Sequence, residues 1–129
     1  MMTPDSTGMG RRQFLSGIAG LLVGGRPSLA SLGRRFRELR RRKQAEKPGH
    51  FDADLDGAGG ELFRVMDDLG KRLGAARTPA ARVESVMGGP DEKRADRWVY
   101  LWRGWHDYLF FTIDGDGLVV HAKWYMAGD

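Results

Sequence analysis

Apolar and polar positions between residues 97 and 126 fall into three runs whose spacing and composition predict β-strands. Arg97-Trp98-Val99-Tyr100-Leu101-Trp102-Arg103 is the first, Asp107-Tyr108-Leu109-Phe110-Phe111-Thr112-Ile113 the second and Leu118-Val119-Val120-His121-Ala122-Lys123-Trp124-Tyr125-Met126 the third. Runs this rich in aromatic and β-branched residues, broken by Gly104 and by Asp114-Gly115-Asp116-Gly117, are the pattern of strands joined by hairpins. Upstream the period changes to that of a helix. From Glu61 to Leu73, Leu62, Val65, Met66, Leu69 and Leu73 share one face, and Asp67/Lys71 and Asp68/Arg72 form i,i+4 pairs on the other. A shorter helix follows Thr78-Pro79, with Val83, Val86 and Met87 apolar, and Gly88-Gly89-Pro90 stops it. These elements predict an α+β fold, two helices packed on a three-stranded antiparallel sheet in the order α-α-β-β-β.

Alternation along the strands assigns faces. One would carry Val99, Leu101, Leu109, Phe111, Ile113, Val120, Ala122 and Trp124, which two helices can cover. The other would carry Trp98, Tyr100, Trp102, Tyr108, Phe110, Val119, His121 and Tyr125. A large uncovered aromatic face marks an interaction surface. The expected binding surface is therefore Trp98, Tyr100, Trp102, Trp105, Tyr108, Phe110 and Tyr125. Its occupant would be a protein partner or a second copy of the chain. The alternative is that the N-terminal arm covers it.

Charge changes the picture of the first third. Residues 34–47 hold eight Lys/Arg against two Glu, and residues 48–129 hold ten Lys/Arg against fourteen Asp/Glu. The overall balance of +4 thus belongs to a short arm, and the remainder is mildly acidic. Within the arm Leu29, Leu32, Phe36 and Leu39 make a narrow helical stripe before Pro48-Gly49. The reading is a solvated amphipathic tether, able to touch an anionic membrane surface through residues 34–47. Nucleic-acid binding by this Arg-rich arm, in a chain kept in the cytosol, is a further alternative.

Ahead of the arm, Arg11-Arg12-Gln13-Phe14-Leu15 precedes a short glycine-rich apolar stretch ending at Gly25. It resembles a twin-arginine (Tat) export signal, with Arg11, Arg12, Phe14 and Leu15 as the motif and Ser28-Leu29-Ala30 as a signal-peptidase site cleaved after Ala30. The apolar stretch falls short of the roughly 20 residues a membrane-spanning helix needs. The expected organisation is a signal segment over 1–30, a basic arm and acidic turn over 31–57 and the folded domain over 58–129. Localisation would then be extracytoplasmic, in the periplasm or cell envelope.

The inventory offers little for catalysis. No Cys is present, which excludes disulfides, thiolate metal sites and a Cys nucleophile, and Ser85 is the only Ser after residue 48. Asp52-Ala53-Asp54-Leu55-Asp56-Gly57 matches the start of an EF-hand loop, but its twelfth position is Phe63 where a bidentate Glu is needed. His50, His106 and His121 have no metal-ligand spacing. The reading is therefore a non-enzymatic protein, with no cofactor and no metal. A small ligand-binding domain or enzyme using His106, Asp107 and His121 in a shallow cleft is the alternative.

One family shares this order of motifs. A short helix opened by Thr78, the run Val86-Met87-Gly88-Gly89-Pro90-Asp91-Glu92, a strand with Trp98-Val99-Tyr100 and a hairpin closing on Asp114-Gly115-Asp116-Gly117-Leu118-Val119-Val120 together resemble the SmpA/OmlA (BamE-like) domain over about residues 61–126. Beta-lactamase-inhibitor proteins look like relatives of the same α+β fold. The resemblance implies protein binding without catalysis. It departs from the outer-membrane assembly type in lacking a Cys to lipidate and in its Tat-like leader.

Overall fold

Leu32, Phe36 and Leu39 are buried on one side of a 16-residue helix, α1 (Leu29–Gln44), so the basic arm is the first helix of the fold. The computed structural model describes residues 26–128, and the compact unit that contains the sheet runs from Leu32 to Asp129. Arg11, Arg12, Phe14 and Leu15 lie outside the described residues. At the start of α1 the Ser28 hydroxyl accepts the Ser31 N–H at 3.0 Å, an N-terminal cap, and Arg41, Arg42 and Lys43 sit in the last turn, where the helix dipole favours cations. A single turn, α2 (Ala53–Asp56), follows, then α3 (Glu61–Leu73) and α4 (Ala80–Met87). The acidic turn is cap chemistry: Asp52 accepts the Asp54 N–H at 2.9 Å and opens α2. Helix α4 begins one residue later than Thr78-Pro79 suggests, because Thr78 turns back on Ala75 (2.7 Å) and its carbonyl accepts the Val119 N–H. Among the described residues no helix is long and apolar enough to cross a membrane.

The arm's charges hold the helices together. Arg35 makes a two-pronged bond to Glu61 at the start of α3, Nε and Nη2 each 2.6 Å from a carboxylate oxygen. Arg37 donates to the Val86 carbonyl, and Arg40 donates to Gly89 O at 2.8 Å while pairing with Asp91 at 3.0 Å. Carbonyls left open at the end of α4 are thereby satisfied. Lys43 pairs with the buried Asp56. Gly33 lies so close to α4 that a Cβ there would clash with the Val86 carbonyl oxygen.

Two carboxylates in this network are held below their usual range. At Glu61 the bond from Arg35 is the cause; at Asp56 burial works against the charge, but Lys43 and the Asp52 N–H outweigh it. A carboxyl that titrates lower in the folded chain stabilises fully above its unfolded value, about 4, and that contribution is lost as pH falls through the folded value. Glu61→Gln is therefore expected to flatten the acid limb of melting temperature against pH while leaving the curve above pH ~6 parallel to the parent's. An acid limb of unchanged steepness would contradict the pairing.

The sheet has four antiparallel strands in the order β1 (Glu92–Lys93), β2 (Arg97–Trp102), β3 (Gly104–Ile113) and β4 (Val119–Met126). β1 is a two-residue edge absent from the three-strand expectation. Asp114 closes the β3–β4 turn, its Oδ1 accepting the N–H groups of Asp116 (2.9 Å) and Leu118 (3.0 Å), with Gly117 at φ +77°. Directly opposed residues share a face, and Trp98 opposes Phe111 while Tyr100 opposes Leu109 and Leu109 opposes Trp124. Those residues form the helix-covered core: the Tyr100 ring meets Phe36 edge-on at 6.0 Å, and Phe63 of α3 packs 4.9 Å from both Trp102 and Trp124.

Two face assignments are corrected by this register. β2 is inverted, so Trp98, Tyr100 and Trp102 face the helices. A bulge between Thr112 and Ile113 likewise exchanges Val119, buried, for Val120, exposed.

Candidate functional site

The β2–β3 hairpin places the candidate surface. Gly104, at φ +59°, starts a tight excursion in which the Arg103 N–H donates to Asp107 O and the His106 N–H returns to Arg103 O. Trp105 projects from its tip, 52% exposed. Next to it, on the face opposite the described helices, Tyr108 of β3 stacks on Tyr125 of β4, centroids 5.0 Å apart and planes 22° off parallel, and Trp105 meets Tyr108 edge-on at 5.5 Å. Tyr125 is 46% exposed and Tyr108 only 8%, so the inner ring is a support and the outer two are the presented surface. Phe110 completes the row. The Arg97 guanidinium lies over Phe110 at 5.2 Å and over Tyr108 at 5.8 Å, covering this side of the patch. Lys123 opposes Phe110 and adds positive charge to the margin.

Of the seven aromatic residues expected to form a surface, the structure brings four together. Trp105, Tyr108, Phe110 and Tyr125 share the open face at one end of the sheet. Trp98, Tyr100 and Trp102 do not join them: they are 7%, 0% and 2% exposed, respectively, on the opposite face. Tyr100 donates its hydroxyl to Gly88 O at 2.7 Å, and its burial pushes the hydroxyl above its ordinary value; Trp102 donates to Leu55 O at 2.9 Å. Arg97 and Arg103, which bracket β2 and lie over aromatic rings, escaped sequence reasoning. Their signal was an Arg at each end of an aromatic strand.

His106, Asp107 and His121 do not converge. His106 and Asp107 line a cleft of about 570 Å³ on the helix side of the hairpin. Asp107 is buried and committed, accepting from Arg103 Nε at 2.8 Å and from the Ala127 N–H at 3.2 Å. His121 shares a hydrogen bond with Thr112 (3.0 Å) on the open face, five β3 residues from Asp107 or roughly 17 Å along the strand. The three groups therefore cannot act on one substrate atom. The basic arm is also changed as a candidate, since Arg35, Arg37, Arg40, Arg42 and Lys43 have partners within the fold and Arg34 and Arg41 remain exposed.

No family model matches the chain, and neither the curated proteins nor the solved structures give a match.

Proposed function

We propose that this chain is an exported, non-enzymatic protein-binding domain of the cell envelope, with an SmpA/OmlA-like (BamE-like) arrangement, that engages its partner through Trp105, Tyr108, Phe110 and Tyr125. The observation that carries the reading is the exposed Trp105 and Tyr125, both packed on a buried Tyr108, on the sheet face that no helix among the described residues covers. Large aromatic residues lose little rotamer freedom on binding and dominate interface energies. The run from Gly88 to Asp91 followed by an aromatic strand and the Asp114 turn supports the resemblance, to which α1 and β1 are additions. The proposed cleavage after Ala30 falls in the first turn of α1, two residues into the helix. Cleavage after Ala30 removes the Ser28 cap and leaves the compact unit beginning at Leu32 whole.

The test is a Trp105→Ser, Tyr125→Ser chain produced in its own cells. It is expected to lose partner capture while its melting temperature falls by no more than about 8 °C, the shift for roughly 1 kcal/mol in a domain this size. An Arg11→Lys, Arg12→Lys chain is expected to stay in the cytoplasm. Capture undiminished by the serine pair would remove the surface from the account. Formation of a homodimer that dissociates in the serine variant would identify the partner as a second copy.

A further inference from the structure

The cleft behind the hairpin has a separate chemistry from the aromatic patch. Its wall carries Phe63, Trp102 and Met126, and its polar groups are Arg103, His106 and Asp107. Arg103 is the group aimed and held. Its guanidinium lies 4.1 Å from the Trp102 ring centre, its Nε donates to Asp107 at 2.8 Å, and its Nη1 donates to Asp56 O at 3.4 Å. Asp107 is itself fixed by the Ala127 N–H, so the planar guanidinium cannot swing freely. Five N–H donors are available on an arginine, and those of Nη2 have no hydrogen-bond partner among the described residues. The Arg103 side chain keeps 42% of its exposure. A fixed donor edge beside an aromatic wall is what a flat acid needs: the carboxylate meets the donors and the ring meets Phe63 and Met126. Because Asp107 offsets the arginine's charge, recognition depends on hydrogen-bond geometry more than on net attraction.

We propose that this cleft binds a small carboxylate carrying a flat apolar body, with Nη2 of Arg103 as the donor. The site lies on the other side of the sheet from the proposed protein-binding patch and stands or falls independently of it.

The probe is sodium benzoate, titrated into the full chain and followed by the Trp102 indole N–H and Arg103 Nε–H resonances. Both are expected to shift saturably. Acetate, which lacks the ring, and benzyl alcohol, which lacks the charge, are expected to bind at least about tenfold more weakly, as is inorganic phosphate. Arg103→Lys keeps the charge, loses the fork and is expected to weaken benzoate by a similar factor. Met126→Glu places a second carboxylate at the half-buried wall directly across the β3–β4 ladder from Asp107, where it repels the probe and competes for Arg103, and is expected to abolish the shifts. Tyr125→Ser should leave benzoate binding unchanged, which separates this site from the patch. A folded parent chain with no saturable shift at Trp102 and Arg103 overturns the proposal. So does benzoate affinity unchanged in Met126→Glu.

Discussion

Trp102→Ala is expected to lower the unfolding free energy by about 3–5 kcal/mol, the range for removing a large aromatic side chain from a packed core. The indole is 2% exposed, packs against Phe63 and Trp124, and gives its N–H to Leu55 O across the top of α2. Truncation therefore leaves a cavity and an unsatisfied buried carbonyl together, which the surrounding helices cannot both repair. In a domain of this size the melting temperature should fall by more than about 12 °C. Partner capture should fall only in proportion to the unfolded fraction. A small thermal shift accompanied by complete loss of capture would instead return Trp102 to the binding surface. Chemical denaturation of the purified chain, with capture measured below the transition, separates the two.

Phe36→Ala is the second large effect, also about 3–5 kcal/mol. A solvated tether would register no change on losing one phenylalanine. Here Phe36 is 1% exposed, meets Tyr100 edge-on and lies under the Arg40 guanidinium at 5.5 Å. Net stabilities of small domains are 5–15 kcal/mol, so this single change brings the chain near its unfolding threshold at 37 °C. Arg34→Ala, on the exposed side of the same helix, is expected to move the melting temperature by less than about 4 °C, within the usual range for surface changes. Equal effects from the two substitutions would contradict α1 as a core helix.

The helices and the hairpin turns were legible because their signals are local. Leu62 to Leu73 repeats at the helical period, Gly88 has φ +85° at the end of α4, and Asp114 to Gly117 carries its own turn bonds. The α+β class followed from those. What failed was long-range. β2 alternates Trp98, Tyr100 and Trp102 with Val99 and Leu101, so both faces are apolar and nothing in the strand itself selects which one meets the helices. A one-residue change of register is then invisible in the sequence and exchanges every side chain. Alternation in β4 places Ala122, Trp124 and Tyr125 on their observed faces but fails across the bulge, which takes up one residue between Val119 and His121. In α1 the arginines concealed a core helix. A charge run reads as solvated until the carbonyls of Val86 and Gly89 and the carboxylates of Glu61 and Asp56 are brought beside it, and those partners lie 13 to 49 residues away. The same limit applied to the candidate surface. Trp105, Tyr108, Phe110 and Tyr125 could be named, but their separation from the three buried aromatics required the register.

The most direct measurement of the central claim is photo-crosslinking in the native cells from benzoylphenylalanine at three positions, one at a time: Trp105, Tyr125 and the exposed Ala81 on α4. One shared adduct is expected from Trp105 and Tyr125 and none from Ala81. The same adduct from Ala81 alone, or no adduct from either hairpin-end position in a folded and exported chain, would contradict it.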